Sequence, residues 1–140
     1  MNGVHRWPVR VYYEDTDLAG LVYYANYLKF IERARSEMVR TGGIDQAAMR
    51  AEGLVFVVTR VVADYLSPAR YDDALMVETR IGRTGKARFV MAQEVLRDET
   101  ILFRAEVTIA CLDMGGRPRR LPAGIAEMAA AAETGPGTLS

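Results

Sequence analysis

The sequence predicts a single α+β domain in which one long helix is followed by an antiparallel sheet. Three observations predict it. A helical apolar stripe runs through residues 27–38, and four strand-like segments separated by short breaks fill most of residues 54–112. The chain has 140 residues, 50% of them apolar and 26% charged, which is one domain's worth of ordinary globular composition. At this size folding buries roughly two-thirds of the unfolded surface, so the core needs neither a disulfide nor a structural metal.

In chain order, Trp7–Glu14 reads as a strand because Val9, Val11 and Tyr13 alternate with Arg10 and Tyr12, and the acidic cluster Glu14-Asp15-Thr16-Asp17 ends it. From Val22 to Arg40 the period becomes helical. Tyr27, Phe30, Ile31, Ala34 and Met38 share a face that excludes Glu32, Arg33 and Glu37, and Thr41-Gly42-Gly43 stops the helix. At ~1.5 Å per residue such a helix reaches roughly 30 Å, enough to be the central element of a small domain. Asp45–Glu52 reads as one short helix with Asp45 as N-cap and Gly53 as the stop.

The strands follow at Leu54–Leu66, Ala74–Arg83, Lys86–Arg97 and Thr100–Leu112. Thr84-Gly85 and Asp98-Glu99 are tight breaks, so the last three pair through antiparallel hairpins. Leu54–Val58 and Val61–Ala63 are apolar on both faces, which implies a strand covered on both sides, with a partner subunit as the simplest second cover. A weak alanine-rich helix is expected at Ala123–Ala132. The domain is expected to occupy residues 1–133, with 134–140 as a flexible tail rich in Gly, Thr and Pro.

Lys+Arg and Asp+Glu both number 18, so no net field draws the chain to nucleic acid. No apolar run approaches the ~18 residues of a membrane span, and the N-terminal residues lack the apolar stretch of a secretory signal. A lone cysteine, Cys111, suits a reducing compartment, and the expected location is the cytoplasm. Cys111 has no neighbouring histidine and reads as core. His5, the only histidine, is expected to be solvated in a mobile N-terminus. Ser-His-Asp and Cys-His machinery are thereby excluded. Asp15-Thr16-Asp17 has no phosphate cradle and no His/Cys cluster beside it, so no metal and no other cofactor is expected.

The chemistry concentrates in residues 13–37, where an acidic turn leaves a strand, passes Gly20 and enters the long helix. The first N–H groups of a helix lack intrahelical partners and carry partial positive charge, so they polarise a carbonyl placed against them. A carboxylate in the preceding loop, Asp17, completes the minimum for acyl transfer: one group attacks or activates water while the others stabilise the oxyanion. Spacing alone leaves a second reading open, in which Asp15 and Asp17 are turn and capping residues.

Val9 to Glu37 resembles the hotdog-fold acyl-CoA thioesterases of the 4-hydroxybenzoyl-CoA thioesterase family, most closely the YbgC-like branch associated with the Tol-Pal system. The resemblance rests on Asp15, Asp17, Gly20, Val22, Tyr23, Asn26, Tyr27, Glu32, Ala34 and Arg35 in one register, and continues weakly through residues 64–75 and 120–122. It implies a helix wrapped by an antiparallel sheet, subunits paired as a homodimer or a homotetramer, and active sites at the dimer interface. It assigns the catalytic carboxylate to Asp17, as nucleophile or general base, and the carbonyl-polarising backbone N–H to Tyr24. Many YbgC-like members carry His where Tyr24 stands; a backbone donor survives that change and an imidazole contribution does not.

On the same basis the acyl-CoA substrate meets Gly20, Val22, Tyr23, Asn26 and Tyr27, and Tyr23, Tyr24, Tyr27 and Phe30 are either an acyl pocket or plain core. Arg88, Arg117, Arg119 and Arg120 are candidates for the coenzyme A phosphates, since guanidinium matches phosphate bidentately. A dehydratase on this fold pairs histidine with a carboxylate, and His5 lies outside the motif. A non-catalytic acyl-binding protein associating with acyl carrier protein or envelope lipid enzymes is the alternative to hydrolysis.

Overall fold

The computed structural model describes residues 3–134, folded as β1 (His5–Arg10), α1 (Asn26–Thr41), α2 (Gln46–Ala51), β2 (Leu54–Tyr65), β3 (Ala74–Thr84), β4 (Arg88–Arg97), β5 (Thr100–Asp113) and α3 (Ala123–Thr134). The strands form one antiparallel sheet in the order β1-β3-β4-β5-β2. With α1 against the inner face of this sheet, the hotdog arrangement implied by the resemblance is borne out. No helix of the described residues is long and apolar enough to cross a membrane.

Period-two burial explains the inner face. Val77, Ile81, Phe89, Met91, Val95, Phe103, Val107 and Ile109 point inward and meet Phe30, Ile31 and Ala34 from the apolar stripe of α1. Each large side chain so buried contributes ~1.5–3 kcal/mol. One layer is polar: Thr79, Gln93 and Ala105 are cross-strand partners. Gln93 Nε2 donates to Thr79 Oγ1 at 3.0 Å and to the Ile31 carbonyl at 2.9 Å, while its Oε1 accepts from Arg35 Nη1 at 3.0 Å. An amide buried this deeply is tolerated because both its ends are paired, and the pairing fixes α1 against the sheet.

The expected hairpins β3-β4 and β4-β5 are present, and the bounds of β2 to β5 agree with the turn signals to within two residues. Asp45 caps α2 as expected, its Oδ1 accepting from the Ala47 and Ala48 amides at 2.9 and 3.1 Å. α3 reaches Thr134 rather than Ala132, and the rest of the expected tail, residues 135–140, lies outside the described residues. α3 docks closely on the chain after α1: a Cβ on Gly124 would lie 2.9 Å from Ile44 Cγ1.

Two expectations at the N-terminus are corrected. The strand runs over His5–Arg10 and not Trp7–Glu14, because the Val11 amide leaves the ladder for the Asp73 carbonyl and Tyr13–Asp15 closes into a 3₁₀ turn. His5 is therefore paired with Thr79 and half-buried, not mobile and solvated. Burial pushes its pKa down, with the Glu37 charge opposing. The long helix begins at Asn26 rather than Val22, a difference that shapes the site.

β2 lies at the far edge of the sheet, with β5 as its only strand neighbour among the described residues. Val57, Val58, Val61 and Val62 are 36–46% exposed, so the segment apolar on both faces is uncovered within the protomer.

Candidate active site

The loop between the 3₁₀ turn and α1 is built around two aspartates with different tasks. Asp15 Oδ2 accepts from the Tyr12 amide at 2.8 Å, and its carbonyl accepts from the Tyr23 amide at 3.0 Å and from Asn26 Nδ2 at 2.9 Å. Asp15 and Asn26 thus staple the two ends of the loop together. Asp17 Oδ1 accepts from the Ala19 and Leu21 amides at 2.9 and 3.2 Å, while Oδ2 makes no hydrogen bond among the described residues. The capping reading and the chemical reading of Asp17 are compatible: one oxygen holds the turn and the other is available.

The loop is docked on the segment joining β2 to β3. The Val22 amide donates to the Ala69 carbonyl at 2.9 Å and the Tyr71 amide to the Gly20 carbonyl at 3.1 Å. Gly20 has φ +76°, a left-handed conformation that costs a side-chain-bearing residue energy. The docking segment is itself clamped. Arg97 Nη1 lies 2.8 Å from Asp73 Oδ2 and 3.3 Å from the Pro68 carbonyl, and the Arg70 amide donates to Asp73 Oδ2 at 2.8 Å. Partial burial alone would raise the Asp73 carboxyl, but the Arg70 amide and the Arg97 guanidinium outweigh it and hold the group below the usual carboxylate range.

Between loop and segment opens a cleft of about 400 Å³, lined by Asp17, Val22, Tyr23, Tyr24, Tyr65 and Pro68 among others. Tyr23 and Tyr24 stand before α1, whose N-cap is Ala25. The Asn26 amide donates to the Tyr23 carbonyl at 2.8 Å, closing a turn, and the Tyr24 amide donates to nothing among the described residues. That carbonyl and the free Tyr24 N–H belong to one peptide group, so the bond to the first polarises the second. Helical spacing had suggested that Tyr24 sits inside the helix; it sits in the turn ahead of it, still presenting an unpaired donor.

The structure brings Asp17, Val22, Tyr23 and Tyr24 together around the cleft. Tyr27 is 3% exposed, stacked on Phe103 at 4.9 Å, and its hydroxyl accepts from the Ala69 amide at 3.0 Å, so it forms the floor; Phe30 is core. Burial, with the Ala69 amide opposing, pushes the Tyr27 hydroxyl pKa up. Asn26 and Gly20 shape the loop from behind. Sequence reasoning missed Tyr65, Leu66, Ser67 and Pro68 as cleft residues, though the matched segment 64–75 contains all four.

The four arginines are elsewhere. Tyr65 pairs with Phe103 at the cleft end of β5, whereas Phe56 pairs with Cys111 and Arg88 with Ala110 at the other end. Eight residues at ~3.4 Å separate those ends by roughly 27 Å. Arg117 and Arg119 belong to a loop ordered by Asp113, whose Oδ1 accepts from the Gly115 and Arg117 amides at 2.9 and 3.0 Å and whose Oδ2 meets Arg119 Nε at 3.0 Å.

This arrangement can be set beside known proteins. A family model described as the thioesterase-like superfamily matches residues 11–131. The chain belongs to the thioesterase-like superfamily. Its relatives there include the acyl-CoA thioester hydrolase YbgC of Escherichia coli O6:H1, 46% identical over 122 residues that cover 86% of this chain and 91% of that protein. The acyl-CoA thioesterase YbgC of Haemophilus influenzae is also 46% identical, over 78% of this chain and 81% of that protein. The crystal structure of a probable thioesterase from Bartonella henselae superposes with a TM-score of 0.81 at 43% identity, covering 85% of this chain and 99% of that one. A 1,4-dihydroxy-2-naphthoyl-CoA thioesterase from Synechocystis shares the fold at 23% identity, with a TM-score of 0.84 over 91% of this chain and 96% of that one. The YbgC-like resemblance read from residues 9–37 therefore stands.

Proposed function

We propose that this chain hydrolyses an acyl-CoA thioester, with Asp17 as its catalytic carboxylate and the Tyr24 amide as the polariser of the thioester carbonyl. The observation that carries the reading is the division of labour within Asp17: Oδ1 is held by two loop amides while Oδ2 makes no hydrogen bond among the described residues, and Asp17 lines one cleft with Tyr24, whose amide is likewise without a partner among them. Relatives that cover most of the chain and are named acyl-CoA thioester hydrolases support the substrate class.

Two routes use the same oxygen. As nucleophile, Asp17 Oδ2 attacks the carbonyl carbon, the C–S bond breaks, the thiolate of coenzyme A leaves, and water then cleaves the mixed anhydride to free acid and Asp17. As general base, Asp17 takes a proton from water as its oxygen attacks the carbonyl, and collapse of the tetrahedral intermediate expels the thiolate, which ends protonated. In both, the Tyr24 N–H stabilises the oxyanion. A pre-steady-state burst of thiol ahead of free acid, or single-turnover transfer of ¹⁸O from labelled water into Asp17, identifies the anhydride route, whereas the general-base route gives neither.

We further read the active form as a two-fold dimer across β2. Antiparallel pairing of two β2 edges would cover the exposed valines and set one protomer's Tyr65 end beside the other's Leu54 end. It would carry Arg88 and the Asp113-ordered loop of one protomer toward the cleft of the other. That placement supports a phosphate-binding role for Arg88, Arg117, Arg119 and Arg120 toward coenzyme A bound across the interface.

The test is a panel of acyl-CoA substrates with a free-thiol readout on wild type, Asp17→Asn and Asp15→Asn. Asparagine keeps the Oδ1 acceptor of the Asp17 turn while removing the charge and the nucleophilic oxygen. The expected loss in kcat for Asp17→Asn is at least roughly a hundredfold with folding intact, the usual contribution of a positioned base or more. Near-normal kcat in folded Asp17→Asn would make Asp17 a turn residue only.

A further inference from the structure

Tyr65 is the last residue of β2, and three rings fix its own. Phe103 lies edge-on at 5.0 Å, Tyr27 at 5.6 Å and Tyr24 at 6.1 Å between centroids. From this seat its hydroxyl donates to the Tyr24 carbonyl at 3.1 Å. The bond spans 41 residues of sequence and ties the end of the edge strand to the turn ahead of α1. No backbone amide among the described residues reaches that carbonyl, since the Leu28 amide bonds the Ala25 carbonyl at 3.2 Å instead. The Tyr65 hydroxyl is thus its one partner among the described residues.

The consequence is local and electronic. The Tyr24 carbonyl shares a peptide plane with the Ala25 amide, and the preceding plane carries the free Tyr24 amide. A donor fixed on that carbonyl sets the tilt of the one plane, limits rotation of the next, and polarises the Ala25 N–H through the shared peptide group. Preorganised donors are what make a carbonyl-polarising site effective, because they need no reorganisation as charge develops on the oxygen.

We propose that Tyr65 is a positioning residue for thioester cleavage: its hydroxyl holds the Tyr23–Asn26 turn so that the unpaired Tyr24 amide is aimed at the substrate carbonyl. This rests on the reading of Tyr24 as the polariser. Its proton is committed to the Tyr24 carbonyl, so the role assigned to Tyr65 is positioning and not proton transfer. Phenylalanine keeps the ring and its three aromatic neighbours and removes only the hydrogen bond.

The experiment uses Tyr65→Phe alone and in an Asp17→Asn background, with the acyl-CoA that wild type turns over best, labelled with ¹³C at the thioester carbonyl. In the single variant kcat should fall roughly tenfold while the dissociation constant for acyl-CoA, measured in the Asp17→Asn background, changes less than about twofold. Infrared difference spectra should show the bound carbonyl of Asp17→Asn shifted to lower frequency than in solution, and Asp17→Asn/Tyr65→Phe should lose much of that shift. A kcat within about twofold of wild type, or a lowered kcat with the carbonyl shift intact, overturns the role of Tyr65 and leaves the polariser reading standing. An unshifted carbonyl in Asp17→Asn itself overturns the polariser reading, and Tyr65 with it.

Discussion

The two edges of the sheet are built on opposite principles. β1 has six residues, its exposed positions are Arg6, Pro8 and Arg10, and both arginines are engaged, Arg6 with Glu78 at 3.0 Å and Arg10 with Asp72 at 3.6 Å. A short edge carrying proline and charge offers little to another strand. β2 has twelve residues, no proline, and four half-exposed valines around a register shift between Val58 and Arg60. The first edge ends the sheet. The second leaves apolar side chains exposed, and the cleft with Asp17 sits at its end, so the dimer proposed above would complete the site at this edge and not at β1.

The strongest way to break this comparison is to give β2 the character of β1. Val58→Glu with Val61→Glu should convert the dimer to monomer in sedimentation velocity. Loss of two charge-assisted phosphate contacts from the partner, at ~1.5–3 kcal/mol each, should lower kcat/KM by a hundredfold or more. A monomeric double variant with full activity would falsify the shared site.

A second change tests the tie between the edges. The Arg97–Asp73 clamp holds the segment that leaves β2, and Asp72 and Asp73 exchange backbone bonds with Val11 just after β1. Arg97→Ala should cost about 1–2 kcal/mol in denaturant unfolding and reduce kcat more than it raises KM. Because the folded Asp73 carboxyl lies below its usual value, its contribution is present above the ordinary aspartate range near ~3.9 and is lost as pH falls through the lower folded value. The acid limb of stability should therefore be shallower in Arg97→Ala than in wild type.

The smallest effect belongs to β1. Arg6→Ala and Arg10→Ala remove solvent-exposed pairs, should each cost under about 0.5 kcal/mol, and should leave the sedimentation coefficient unchanged. A change of assembly on either would mean that β1, too, is an interface.

Where structure depends on local pattern, it was legible in the sequence. Strands β2 to β5 agree with their turn signals, and the buried face of α1 includes the stripe of Tyr27, Phe30, Ile31, Ala34 and Met38. The start of α1 was misplaced because Val22–Ala25 continue an apolar run whose backbone is diverted by distant partners, Ala69 for Val22 and Asp15 for Tyr23. The end of β1 was misplaced for the same reason, with Val11 bonded to Asp73. Asp17 is a candidate because a carboxylate before a helix is a local signal, but spacing does not separate it from a capping residue or from Asp15; only the family resemblance assigns it the chemistry. Tyr65, Arg97 and Asp73 act on the cleft through contacts 24 to 41 residues away in sequence, which no spacing rule announces. Arg117, Arg119 and Arg120 form a basic cluster in the sequence and Arg88 stands apart from it, but only the register of β5 shows that Arg88 and the loop after Asp113 stand at the far end of their own protomer.

The shared carboxylate of Asp17 makes the loop an interlock. A rotation that detaches Oδ1 from the Ala19 and Leu21 amides also swings Oδ2 away from its place on the cleft, since the two oxygens are rigidly joined. In the role proposed for Asp17, the reacting oxygen is in place only while its seat is closed. If Asp17 is the proposed carboxylate, a chain still folding, or a protomer whose loop has lifted from the Ala69–Tyr71 segment, would be idle rather than error-prone, and would spare intact thioesters until it is whole.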